Sequence, residues 1–115
     1  PVLDEDLATT FSWPTIRVTL DGMSSDSHWS QKKQNRLAQQ FLELIKDLSS
    51  LGVKQIHLVM AAPNSVVFNL GRGYDKRNLP KIIVYQYERD QELAYPWGIQ
   101  MPTNQTVKAV VVRSE

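Results

Sequence analysis

The sequence predicts an α/β fold in which a mainly parallel sheet is flanked by helices and extended by short terminal strands. Short runs of β-branched residues alternate with segments whose apolar residues recur at helical spacing, and this alternation is typical of parallel sheets with packed helices. In addition, residues 53–71 have the pattern of a buried strand, a tight turn and a helix. Right-handed crossovers are the default for such units. We expect the last strands to add to the sheet antiparallel.

Size and composition limit the function classes. The 115 residues suffice for one domain with a core. The formal net charge of +1 argues against a broad basic face for long nucleic acid, although a small anionic ligand remains possible. There is no cysteine, which excludes a disulfide framework, a thiolate nucleophile and Cys-ligated zinc.

The chain shows no targeting signal. No apolar run approaches the about 20 residues of a membrane span, and no signal-peptide pattern opens the chain. We therefore expect a cytoplasmic protein. The first residue is Pro1, which is consistent with a fragment, a processed product or an excised domain.

The first half of the chain contains an N-terminal segment, a strand and a long helix. Residues 1–14 are either a linker from an upstream domain or an arm that packs on a partner, and we expect the apolar side chains of Leu3, Leu7, Phe11 and Trp13 to dock on a body. Residues 15–115 form a single domain. Residues 15–20 alternate apolar and polar side chains, which predicts a strand. A polar loop follows, and a helix is predicted over residues 29–50 with Gly52 as its cap. Its apolar stripe comprises Leu37, Phe41, Ile45 and Leu48.

The second half begins with the strand and helix that organise the chain. Residues 53–60 predict a buried strand because they are short, apolar and rich in β-branched residues. Pro63 fits the first position of the next helix, and Gly71 fits the left-handed position that ends it. Three further strands are predicted over residues 81–87, 95–101 and 106–113, the second of them a short or edge strand because it contains a proline and a glycine.

Two strand-to-helix turns are candidates for phosphate binding. Pro63, Asn64 and Ser65 follow a buried strand, and helix N-termini carry unpaired N–H groups and a partial positive charge. If the first two strands are adjacent and parallel, the loop after the first strand lies at the same sheet edge, where ligands of open α/β sheets bind. That loop contains Gly22, Met23, Ser24 and Ser25. The alternative is two ordinary connections without a ligand.

Other chemistry has little support in the sequence. Gly71-Arg72-Gly73 lacks the third glycine of a dinucleotide fingerprint, and metal-ligand spacing is absent. His57 lies within a strand, which favours a structural role, and His28 lies in a loop. No catalytic residue, metal or cofactor is therefore predicted. The late aromatic residues either stack on a purine base, fill the outer face of the sheet or form a subunit contact. They are Tyr85, Tyr87, Tyr95 and Trp97.

Two ordered patterns resemble the signature of SAVED domains. They are QIHLVMAAPNSVVFNLGR at residues 55–72 and IIVYQY at residues 82–87, with Tyr95 and Trp97 after them. The resemblance extends over residues 15–101. It implies a Rossmann-like (CARF-like) unit, one of the two that are fused in a SAVED domain. The chain is about half the usual length of a SAVED domain and resembles its C-terminal unit, and no effector sequence is present in it.

The resemblance also implies a function. SAVED domains bind cyclic oligonucleotide second messengers in bacterial antiphage systems of the CBASS and type III CRISPR kinds, and the ligand drives assembly and switches on an attached effector. It implies an oligoadenylate-type ligand, and a second half, an effector chain or a homo-oligomer as partner. The ligand residues it favours are Pro63, Asn64 and Ser65, then the loop of residues 22–25, then Tyr85.

Two other functions stay open. One is a ring nuclease that cleaves the messenger, with His28, Lys76 or Arg77 as its candidate residues. The other is a scaffold half that binds a partner chain and no ligand.

Overall fold

The computed structural model describes residues 2–18, 31–62, 64–74, 79–103 and 108–114. Their helices and strands occur in the order α1 (Asp4–Thr10), α2 (Gln31–Ser50), β1 (Gln55–Leu58), α3 (Asn64–Arg72), β2 (Lys81–Gln86), β3 (Trp97–Gln100) and β4 (Val110–Arg113). The α/β class is thus confirmed. The predicted strands over residues 53–60, 81–87, 95–101 and 106–113 each correspond to an observed, shorter strand.

The strands form one mixed sheet in the order β1-β2-β3-β4. Strands β1 and β2 are parallel, whereas β2 pairs antiparallel with β3 and β3 with β4. The prediction of a mainly parallel sheet was therefore wrong, and the antiparallel addition of the last strands is confirmed. The physical reason is that a parallel pair needs a crossover, and among the described elements only α3 lies between two consecutive strands.

Strand β3 lies inside the sheet, between β2 and β4. Pro96 precedes the strand and removes no ladder hydrogen bond from it, while Gly98 lies within it. A Cβ atom at residue 98 would lie 2.8 Å from the Val84 carbonyl oxygen and 3.1 Å from Tyr85 Cδ1. Glycine therefore permits the close approach of β3 to β2. The prediction of a short strand is confirmed, and its alternative, an edge strand, was wrong.

Two further predictions differ from the structure. Residues 15–18 are exposed and form no strand, while residues 19 and 20 lie outside the described residues. Gly71 is an interior residue of α3, which continues to Arg72, and Gly71 has no positive φ. Gly52, by contrast, has φ +95° and ends α2 as predicted.

The sheet has apolar cores on both faces. On one, which we call the helix face, α2 and α3 pack on each other and cover the strands. Buried residues of this layer include Ile45 in α2 and Val66 in α3, at 2% and 1% exposure. Both Ile82 and Ile83 of β2 are 4% exposed although they point to opposite faces, so the second face must be covered as well.

The second face is covered by the first residues of the chain, which we call the N-terminal arm (residues 2–18). Its helix α1 ends with two threonines whose hydroxyl oxygens accept hydrogen bonds from the chain just before β3. The Ala94 N–H donates to Thr9 Oγ1 at 2.9 Å, and the Tyr95 N–H donates to Thr10 Oγ1 at 3.1 Å. The arm therefore packs on the sheet of its own chain. We call this side of the sheet the arm face.

Candidate functional site

The arm face carries the polar and aromatic side chains that the two parallel strands contribute. The register pairs Gln55 with Lys81 and His57 with Ile83. Because successive residues of a strand point to opposite faces, Gln55 and His57 of β1 share this face with Lys81, Ile83 and Tyr85 of β2. A titratable histidine thus lies between an amide, an ammonium group and a phenol.

His57 is held through both ring nitrogens. Its Nδ1 lies 2.8 Å from the Tyr85 hydroxyl oxygen, and its Nε2 lies 2.9 Å from Gln55 Nε2. An amide nitrogen can only donate, so Nε2 of His57 accepts, and the ring proton lies on Nδ1 and is donated to Tyr85. This network assigns His57 as the neutral Nδ1–H tautomer.

Burial and charge keep these groups uncharged. Burial lowers the pKa of His57, and the positive charge of Lys81 lowers it further. Burial raises the pKa of Tyr85, and burial followed by the negative charge of Asp6 raises the pKa of Tyr95. The histidine is therefore a neutral imidazole and both tyrosines are neutral phenols near neutral pH.

Aromatic rings of the arm pack around this histidine. The Trp13 indole is stacked on the His57 imidazole, with ring centroids 4.3 Å apart and planes at 19°. Phe11 contacts Tyr85 edge-on at 4.9 Å and Tyr95 at 5.9 Å. Such pairs contribute about 0.5–1.5 kcal/mol each beyond their buried area. The arm is thus fixed to the sheet by rings as well as by hydrogen bonds.

The predicted phosphate-binding turn lies at one edge of the sheet. Because β1 and β2 are parallel, their carboxyl ends meet at the same edge, and α3 begins at Asn64 after β1. Ser65 is exposed in the first turn of α3. Tyr85 is near the carboxyl end of β2, but its side chain lies on the arm face and is bonded to His57. The remaining predicted ligand residues, Gly22, Met23, Ser24, Ser25 and Pro63, lie outside the described residues.

The helix face encloses an apolar cavity of about 340 Å³ between α2, α3 and the sheet. The polar groups at its wall are engaged elsewhere: the Tyr74 hydroxyl donates to the Pro102 carbonyl, and the Gln86 amide donates to the Tyr87 carbonyl. Its lining includes Phe41, Leu42, Met60, Val67, Tyr74 and Trp97. Most of the described residues that line this cavity are apolar.

Residues 1–101 match the family described as "SMODS-associated and fused to various effectors sensor domain", abbreviated SAVED. The chain belongs to the SAVED family. The matched span includes the N-terminal arm, α3 and strands β1 to β3. It therefore contains both the arm face and the turn at the start of α3. Neither the curated proteins nor the solved structures include a match to this chain.

A SAVED domain is a sensor domain. In the described ranges, no group of three His, Cys, Asp or Glu side chains is arranged to hold a metal ion. No helix among these residues is long and apolar enough to cross a membrane. The candidate site of this SAVED domain has two parts, the first turn of α3 and the arm face on the other side of the sheet.

Sequence reasoning missed the part of this site that the arm contributes. Trp13 was assigned to a linker or a partner-binding arm with apolar side chains that dock on a body, but the strand on which it packs was not predicted, and Gln55 was given no role. The alternation of Gln55 and His57 with apolar Ile56 and Leu58 was the available signal, since it predicts two polar side chains on one face of β1. No pattern in the sequence indicates that Trp13 covers that face.

Proposed function

We propose that this SAVED domain is the sensor module that binds a cyclic oligonucleotide second messenger, of oligoadenylate type, in bacterial antiphage defence of the CBASS or type III CRISPR kind. Ligand binding promotes assembly and activates an associated effector. The observation that carries the proposal is the β1–α3–β2 unit, whose parallel strands end where the first turn of α3 begins. Membership in a family of sensor domains fused to effectors supports it.

The first turn of α3 has the chemistry that a phosphodiester needs. The first four N–H groups of a helix have no intrahelical partner, and the helix dipole adds a partial positive charge there. No acidic residue occupies this turn, and Ser65 is exposed beside it. A phosphate of the messenger accepts hydrogen bonds from these N–H groups and from the Ser65 hydroxyl. Pro63 and the loop of residues 22–25 complete this side of the site.

The site is shared between two chains or two halves. This chain supplies one CARF-like unit, and a second unit supplies the facing half of the pocket. Binding then favours the assembled state because the ligand makes contacts there that a separate unit cannot make. The effector responds to this shift in assembly, without chemistry on the ligand.

A charge substitution in this turn tests the proposal. Ser65→Glu adds a negative charge where a helix tolerates it, because the charge complements the dipole, but where it repels a phosphate. Ser49→Glu is the matched control, an exposed serine in the last turn of α2. We titrate both variants and the unmodified chain calorimetrically with cyclic di-, tri- and tetranucleotides. The molecular mass of each complex is measured in parallel.

We expect one ring to bind, the complex to gain mass, and Ser65→Glu to weaken binding by about tenfold or more while Ser49→Glu does not. Equal affinity of the unmodified chain and a folded Ser65→Glu variant would remove this turn from the site. Linear products in the titration mixture would identify a ring nuclease. A folded chain that binds no ring, but binds a second SAVED half tightly without ligand, would be a scaffold.

A further inference from the structure

The indole of Trp13 is an exposed aromatic ring that is held in a fixed place. Trp13 remains 56% exposed although one face of its ring is stacked on His57. Phe11, tilted at 6.0 Å, supports it from the side. Since a stacking partner already covers one face, the exposed surface of Trp13 is the opposite face and its edges.

The support under this ring is rigid. His57 cannot rotate without breaking its hydrogen bonds to Tyr85 and Gln55. The arm that carries Trp13 is fixed to the chain before β3 through Thr9 and Thr10. A ligand ring that stacks on a preorganised surface loses little of its binding energy to ordering the protein.

A cation lies on the same face as this ring. Lys81 and His57 share the arm face, and Lys81 is close enough for its charge to lower the pKa of His57. Of the acidic groups of the arm, Asp4 forms an ion pair with Arg17, and the negative charge of Asp6 raises the pKa of Tyr95. An open π-face, a lysine and a nearby amide from Gln55 are the groups that recognise a nucleotide.

We propose that a nucleobase stacks on the open face of Trp13 while the phosphate of the same nucleotide is attracted to Lys81. The proposal deepens the proposed function, on which it rests for the class of ligand, by assigning a base-binding subsite on the arm face. This subsite and the turn of α3 share no residues. A single nucleotide, adenosine monophosphate, therefore suffices as the probe of the subsite.

Nuclear magnetic resonance of the full chain with adenosine monophosphate tests this subsite. The chain has three tryptophans, so the indole signal of Trp13 is assigned from a Trp13→Phe variant. We expect the Trp13 indole signal to shift saturably while the Trp97 signal, from the helix face, does not. Trp13→Leu should weaken binding about five- to a hundredfold, and Trp13→Phe, which keeps a ring on His57, should weaken it less.

Lysine variants distinguish the contribution of the phosphate to binding from the contribution of the base. Adenosine monophosphate should bind more tightly than adenosine to the unmodified chain, and Lys81→Gln should abolish that difference. Lys54→Gln, an exposed lysine just before β1, is the matched control and should preserve it. If Lys81→Gln retains the full difference, the phosphate contact is wrong.

The outcomes distinguish this subsite from the proposed function. A folded chain whose Trp13 signal does not move up to the solubility limit of adenosine monophosphate overturns the subsite, as does unchanged affinity in Trp13→Leu. If Trp13→Leu does not fold, Trp13→Phe decides. Unchanged affinity of the Trp13→Phe variant, together with an unmoved Trp13 signal in the unmodified chain, also overturns the subsite. Binding of a cyclic oligonucleotide at full affinity to Trp13→Leu would leave the sensor intact and remove the subsite. Conversely, a chain that binds adenosine monophosphate but no cyclic oligonucleotide would retain the subsite and overturn the proposed function.

Discussion

His57 and Tyr85 join the two parallel strands of the sheet through a hydrogen bond of 2.8 Å between Nδ1 and the phenol oxygen. Both side chains are partly buried, and neither carries a charge near neutral pH. The bond therefore satisfies two polar groups where water has limited access, and it fixes the ring on which Trp13 stacks. Four properties of the domain follow from this cluster and from the packing around it.

Removal of the Tyr85 hydroxyl should destabilise the domain. Tyr85→Phe leaves the Nδ1–H of His57 without its acceptor, which we expect to lower the free energy of unfolding by about 1–3 kcal/mol. Urea denaturation measures this change. Tyr87→Phe is the control, because Tyr87 is 47% exposed and its ring contact with Tyr95 is kept. Equal stability of the two variants would show that the hydrogen bond contributes nothing.

His57 should make the stability of the domain depend on pH. Its pKa in the folded state lies below the usual value of 6.5, so below pH 6.5 the unfolded chain binds more protons than the folded one. Stability from this group is complete above pH 6.5 and is lost as the pH falls toward the folded pKa.

Thermal or urea unfolding between about pH 7.5 and 5.5 measures this loss. His57→Phe, which retains a ring under Trp13, should flatten the profile in this range. Tyr87→Phe, which keeps a ring at an exposed position, serves as the control and should retain the slope. A profile that is the same in the His57 variant and in the unmodified chain would assign the dependence to other groups.

The threonines of α1 should be needed to hold the arm. Ala94 and Tyr95 are 6% and 3% exposed, so their N–H groups lose their acceptors in a Thr9→Val, Thr10→Val variant. We expect a loss of about 1–3 kcal/mol for each unpaired group and faster hydrogen exchange at these two amides. Ser12→Ala, at an exposed position of the arm, should change neither quantity. Unchanged exchange at residues 94 and 95 would contradict the observed contacts.

Two glycines should respond to alanine with opposite signs. At Gly98 a Cβ atom would lie 2.8 Å from the Val84 carbonyl oxygen and 3.0 Å from Ile83 Cγ2, so β2 and β3 must move apart. We expect Gly98→Ala to cost about 1–3 kcal/mol. At Gly71 nothing lies within 4 Å, and Gly71→Ala should stabilise α3 by about 0.5–1 kcal/mol. Guanidinium denaturation of both variants is the measurement, and destabilisation by Gly71→Ala would contradict it.

The sequence predicted the elements whose signals are local. Helix α2 ends at Gly52 as its apolar stripe and glycine indicate, and β2 coincides with its run of β-branched residues. Gly71 was misassigned because a glycine inside a helix costs only about 1 kcal/mol, which the burial of Val66 and its neighbours outweighs. The prediction of a mainly parallel sheet was wrong because, among the described elements, only β1 and β2 are consecutive strands with a helix between them, whereas the antiparallel addition of the last strands was predicted correctly.

The candidate site, likewise, was predictable only where its residues are close together in the sequence. The start of α3 after β1 was predicted from the patterns of a strand, a turn and a helix that are contiguous in the sequence. The arm face did not, because Trp13 meets His57, and Thr9 meets Ala94, only through the tertiary fold. Contacts of this kind leave no periodic pattern, and the exposed aromatic residues of the arm gave no indication of the strand that they cover.

The hydrogen bond from Ala94 to Thr9 spans 85 positions of the chain. During synthesis the arm emerges from the ribosome before the sheet, and its attachment points are made only after β2 is complete. Closing so long a loop is entropically costly and contributes to slow folding. Throughout that interval Phe11 and Trp13 are uncovered apolar rings on a nascent polypeptide, and such surfaces are where chaperones bind and aggregation begins.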